Sequence, residues 1–100
     1  MYKLHYLQKA LDDMDEIHFY IKQDNEPAAN KMLGKIINSM EGLLTFPFIG
    51  SVVNDKLRIK GEYRTIIVSP YIIFYRVLKK EVVIYRVLHS KRYHAALFEQ

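Results

Sequence analysis

Ala29-Asn30-Lys31-Met32-Leu33-Gly34-Lys35-Ile36-Ile37-Asn38-Ser39-Met40-Glu41-Gly42-Leu43-Leu44 carries the clearest periodic signal in the chain. Ala29, Met32, Leu33, Ile36, Ile37, Met40, Leu43 and Leu44 recur at helical spacing and form one apolar stripe. The spacing predicts an amphipathic helix over residues 27–44. Asn25 suits its N-cap and Pro27 its first turn. Gly34 costs helix propensity, and is expected to let a neighbouring helix approach closely. The methionines read as packing residues rather than a cofactor box.

Upstream, Leu7, Ala10, Leu11, Met14, Ile17 and Ile21 follow the same period and predict a helix over 7–23. The short break at Asn25-Glu26-Pro27 makes the two helices an antiparallel hairpin. Lys3 to Tyr6 reads as a short first strand. Downstream, Thr45 to Gly50 ends the helical pattern, and Phe46 and Phe48 are expected to anchor this turn to the core. The period then changes to two. Leu57 and Ile59 alternate with Arg58 and Lys60, Gly61-Glu62 turns, and strands follow over Tyr63–Ser69, Tyr71–Leu78 and Val82–Leu88. Pro70 and Lys79-Lys80-Glu81 punctuate them. Short strands with short loops form an antiparallel meander, and the hairpin must bury its stripe against one sheet face. The expected class is α/β (α+β): a helical hairpin on a small, twisted, mostly antiparallel sheet.

A chain of 100 residues with 50% apolar content supports one domain over 1–100 and one modest core. The absence of cysteine excludes disulfides, thiolate zinc sites and cysteine nucleophiles. Asp12, Asp13, Asp15 and Glu16 arrive too early for a signal peptide. No stretch approaches the roughly 18 apolar residues of a membrane span. A cytoplasmic protein without membrane contact or cofactor is the expectation.

Charge is unevenly placed. Residues 1–50 hold five lysines against seven acids, whereas residues 51–100 hold ten Lys and Arg against four acids. All five arginines (Arg58, Arg64, Arg76, Arg86, Arg92) lie in the second half. The expectation is a basic sheet face, opposite the helices, that attracts polyanions or an acidic partner. Strand parity puts Arg58 and Lys60 on one face, and Arg64 follows just across the turn. Together they could grip a phosphate backbone or stabilise charge on a scissile phosphate. Arg76 and Arg86 sit inside apolar strands and need partners, with Glu62 and Glu81 the nearest acids. Alternation groups Arg86 with Val82, Ile84 and Leu88. His89, Lys91, Arg92, Tyr93 and His94 form the densest polar group. A histidine there could move the 2′-hydroxyl proton of RNA, Arg92 could balance phosphate charge and Tyr93 could stack on a base, without metal. The apolar Ala95-Ala96-Leu97-Phe98 could close over the core or meet a partner.

The order and spacing of several segments resemble the RelE/ParE superfamily of toxins across almost the whole chain. These are Tyr6-Leu7 leading into Ala10–Ile17 and Tyr20-Ile21, Glu26-Pro27-Ala28-Ala29, Leu43–Pro47 with Gly50, Tyr71–Val77, and Arg86–Arg92. The resemblance implies a type II toxin neutralised by a cognate antitoxin, with a higher-order complex of the two on operator DNA. It leaves two targets open. Lys60 and the Arg92-Tyr93-His94 ending are similar to the branch that cleaves mRNA on the ribosome. That branch has an arginine where this chain has Ile72, and some members end in a tyrosine where it has Phe98. The long hairpin, Glu26–Ala29 and Arg86–His89 resemble the branch that poisons DNA gyrase. A binding module that has lost toxicity is the third reading.

Overall fold

The computed structural model describes residues 1–53 and 62–92, with the side chain of Arg92 outside the described set. Strand β1 (Lys3–Tyr6) leads into helix α1 (Gln8–Lys22) and helix α2 (Glu26–Gly42). Strands β2 (Ser51–Val52), β3 (Arg64–Val68), β4 (Tyr71–Leu78) and β5 (Glu81–His89) follow, and a single 3-10 turn over Ser90–Arg92 closes the described chain. The Asn25 side chain accepts a 3.0 Å hydrogen bond from the Ala28 N–H, so it caps α2 as its position predicts. The predicted strand over Leu57–Lys60 and the Gly61 turn lie outside the described residues.

The described strands form one sheet in the order β1-β5-β4-β3-β2. β2 to β5 pair antiparallel, and β1 joins β5 in parallel, with Lys3 opposite Glu81 and Tyr6 opposite Ile84. The helical hairpin carries the chain from β1 at one edge of the sheet to β2 at the other, and the antiparallel strands then bring it back so that β5 lies beside β1 in parallel. Ala10 and Met14 of α1, with Ile36 and Met40 of α2 and Leu43 just beyond it, pack on Tyr71, Ile73 and Tyr75 of β4 and Val82, Ile84 and Val87 of β5. Burying a side chain the size of Ile36 contributes about 2 kcal/mol, so these contacts dominate the hairpin's attachment.

The helix-facing set on β5 passes from Val82 and Ile84 to Val87, a step of three. The register shift opposite Phe74/Tyr75 explains it: Ile84 faces Tyr75, Arg86 faces Phe74, and Tyr85 is the inserted residue. A one-residue bulge reverses the parity of everything beyond it. Strict alternation therefore misplaces the second half of β5, including Arg86.

Gly34 is not a contact point between the helices. A Cβ there would meet nothing within 4 Å. The β4–β5 hairpin turns on Lys79, whose φ of 56° lies in the left-handed region.

Candidate functional site

Two constellations stand out around the sheet. The first organises residues 46–50. The buried Tyr75 hydroxyl donates to the Pro47 carbonyl at 2.8 Å and accepts from the Gly50 N–H at 2.9 Å. Burial pushes the Tyr75 hydroxyl above its usual pKa, against the opposing effects of the Gly50 hydrogen bond and the Arg64 charge. Arg64 donates through Nη1 to the Phe48 and Gly50 carbonyls at 3.1 and 3.0 Å, and through Nη2 to Glu62 at 2.9 Å. Its guanidinium lies 5.1 Å from the Phe48 ring centre. Gly50 is required here, because a Cβ would stand 2.6 Å from the Tyr75 hydroxyl and 2.8 Å from the Thr65 carbonyl.

This corrects the reading of the loop. Phe46 and Phe48 do not anchor it to the core; they are 63% and 55% exposed. Tyr75 and Arg64 hold it through its backbone carbonyls, and the aromatic rings point outward.

The second constellation lies where β5 runs past the end of β1. Arg86 makes a bidentate ion pair with Asp13 of α1, Nε to Oδ2 at 2.8 Å and Nη2 to Oδ1 at 3.0 Å. The same Asp13 Oδ2 accepts the Val87 N–H at 2.9 Å. The side chains are 17% and 11% exposed, so this pair is largely shielded from water. Its hydrogen bond to Asp13 is the main cause that raises the Arg86 pKa. The partners expected for Arg86, Glu62 and Glu81, are therefore replaced by a residue 73 positions away. Beside this pair runs a groove of about 610 Å³ between α1 and β5, lined by Ile17, Phe19, Tyr20, Tyr71, Val87 and His89 among others.

Of the expected site residues, His89 lies at the groove, with its ring edge-on to Tyr71 at 5.5 Å between ring centres and its Nδ1 accepting the Lys91 N–H at 3.1 Å. Lys91 lies exposed at the same end. Arg64 belongs to the loop clamp, on the other side of β4 from β5. Arg58, Lys60, Tyr93 and His94 lie outside the described residues, as does the side chain of Arg92. Arg76 rests on Tyr63, 5.4 Å from its ring centre, with a buried Nε that has no hydrogen-bond partner among the described residues. The expected convergence of positive side chains on one open face does not hold for the described arginines. Arg64 and Arg86 are both drawn inward by carboxylates and carbonyls. Sequence reasoning missed Asp13 and Tyr75, the residues that organise the two constellations. Asp13 looks like one of several solvated helix acids, and Tyr75 like one of several strand aromatics.

Among the described residues no group of three or more His, Asp or Glu could hold a metal ion. No described helix is long and apolar enough to cross a membrane.

A helical hairpin on a mostly antiparallel sheet, with a parallel first strand, defines a RelE/ParE-like fold. The family model described as the ParE toxin of the type II toxin–antitoxin system parDE matches residues 4–93, so the chain belongs to that family. Among solved structures it is similar to a chain of a chromosomal ParDE toxin–antitoxin system from P. aeruginosa. The identity is 24%, the TM-score is 0.73, and the match covers 89% of this chain and 96% of that one. No curated protein matches it.

Proposed function

We propose that this protein is a growth-inhibiting toxin that poisons DNA gyrase and is neutralised by a cognate antitoxin. Its membership of the ParE family makes it the toxin side of such a pair. The observation that carries the choice of target is the commitment of Arg64. Metal-free RNA cleavage needs cations free to meet a scissile phosphate. Arg64 instead spends its donors on Phe48, Gly50 and Glu62. His89 likewise uses Nδ1 to accept a backbone N–H. Poisoning a protein–DNA complex requires a shaped surface rather than an acid–base set.

Ribosome-dependent mRNA cleavage is the competing reading, and Arg92-Tyr93-His94 supports it by composition. Inducible expression with parallel mapping of RNA 5′ ends and DNA supercoiling separates the two. Covalent gyrase–DNA complexes with unchanged mRNA ends are expected. New mRNA ends that vanish in His94→Ala, with normal supercoiling, would overturn the gyrase reading. Wild-type expression without growth arrest would leave only an antitoxin-binding module.

A further inference from the structure

Arg64 and Arg86 are drawn inward and Arg76 rests on a ring, so the open positive charge of the described sheet belongs to lysine. Lys3, Lys79 and Lys80 are all exposed and meet at one end of the sheet. Backbone pairing brings them there: the Lys3 N–H bonds to the Lys80 carbonyl at 2.8 Å, and Lys79 and Lys80 form the β4–β5 turn. The Lys80 ammonium rests 5.4 Å from the Tyr2 ring centre. Glu81 stands opposite Lys3 in register, yet none of the three lysines makes an ion pair among the described residues. By contrast, the other four lysines of residues 1–50 share the helical hairpin with all seven acids of that half. The turn supplies a second observation. Lys79 has a φ of 56°, in the left-handed region that glycine enters freely and lysine only at a cost. Strain of this kind clusters at ligand contacts, and what lysine provides here that glycine lacks is a charge.

We propose that this end of the sheet binds the sugar–phosphate backbone of duplex DNA, through charge and without reading bases. Neighbouring strands lie about 5 Å apart, so ammonium groups on β1 and on the β4–β5 turn fall within reach of adjacent phosphates. Duplex DNA carries about one negative charge per 1.7 Å of its axis. The residue type decides against an acidic protein partner. Protein interfaces favour arginine and aromatic side chains and are poor in lysine, whereas lysine meets phosphate as a hydrated point charge. This goes beyond the gyrase reading, since it concerns the chain's own contact with DNA and needs neither gyrase nor antitoxin.

The test uses the purified full chain and a fluorescently labelled DNA duplex, with binding followed by anisotropy as salt is raised. Log affinity is expected to fall against log salt with a slope of about −3, as counterion release from three phosphate contacts requires. Lys3→Ser/Lys79→Gly/Lys80→Ser is expected to weaken binding at least about tenfold at low salt and to flatten the slope by about 2–3 units. Lys22→Ser/Lys31→Ser/Lys35→Ser removes the same net charge from exposed positions on the helices, and is expected to stay within about twofold of wild type. Lys79→Gly alone, which relaxes the turn, is expected to bind about threefold or more weakly while unfolding no earlier than wild type. Equal losses in the two triple variants, or no binding of the duplex at low salt, overturn the proposal. So does tighter binding of a single-stranded RNA of the same length, or a Lys3/Lys79/Lys80 variant that keeps its DNA affinity.

Discussion

At the residue scale, two side chains link distant parts of the chain, and each supports a prediction. Tyr75→Phe keeps the ring but leaves the Pro47 carbonyl and the Gly50 N–H without the hydroxyl they share. Stranding buried polar groups costs about 1–3 kcal/mol each, so a loss of about 2–4 kcal/mol is expected in urea unfolding. A change under about 0.5 kcal/mol would mean that the loop is held by something else. Asp13→Ala removes the bidentate carboxylate from Arg86 in a site where both side chains are largely shielded. Breaking such a pair typically costs about 3–5 kcal/mol, and thermal or urea denaturation reads it directly. Replacing Asp13 and Arg86 together by apolar residues should recover part of that loss, because the two shielded charges are then removed together.

At the element scale, the glycines divide by what surrounds them. Gly34→Ala adds a methyl group to open space within α2 and should raise stability by about 0.5–1 kcal/mol. Gly50→Ala drives a methyl into the Tyr75 hydroxyl and the Thr65 backbone, and should destabilise by more than about 2 kcal/mol. Equal effects from the two substitutions would contradict the packing described. The β4–β5 hairpin offers a third case. Lys79 holds a positive φ that glycine adopts without a Cβ penalty, so Lys79→Gly should stabilise by about 0.5–1 kcal/mol in chemical unfolding.

At the scale of the whole molecule, burial sets the behaviour at high pH. Tyr6, Tyr63, Tyr71 and Tyr75 all have raised pKa values, chiefly through desolvation. A group whose folded pKa exceeds its unfolded value stabilises the fold below the unfolded pKa, about 10 for tyrosine, and that contribution is lost as pH rises through the folded value. Stability should therefore fall above about pH 10, and the phenolate absorbance at 295 nm contributed by these four tyrosines, read as the difference from a Tyr→Phe variant at each, should appear late and together with loss of ellipticity. Any of the four that titrates smoothly near its usual value in a still-folded chain would contradict this.

The helices, the hairpin, the α2 cap and the β3–β4–β5 order were legible because they depend on local periodicity and turn chemistry. Each signal lies within a few residues of the element that it specifies. Sequence reasoning also reached His89 and Lys91 as neighbours, since they adjoin in the chain. It could not reach the Asp13–Arg86 pair or the Tyr75 clamp. Those depend on which strand borders which, and on one inserted residue at Tyr85 that shifts everything after it. Local sequence dictates what kinds of element form and which stripe each must bury. Which charges are neutralised, and which loop carbonyls a buried hydroxyl and a guanidinium hold, follows from the folded arrangement. Pairing energies depend on distance in space, and residues 73 positions apart acquire such a distance only when the chain has folded.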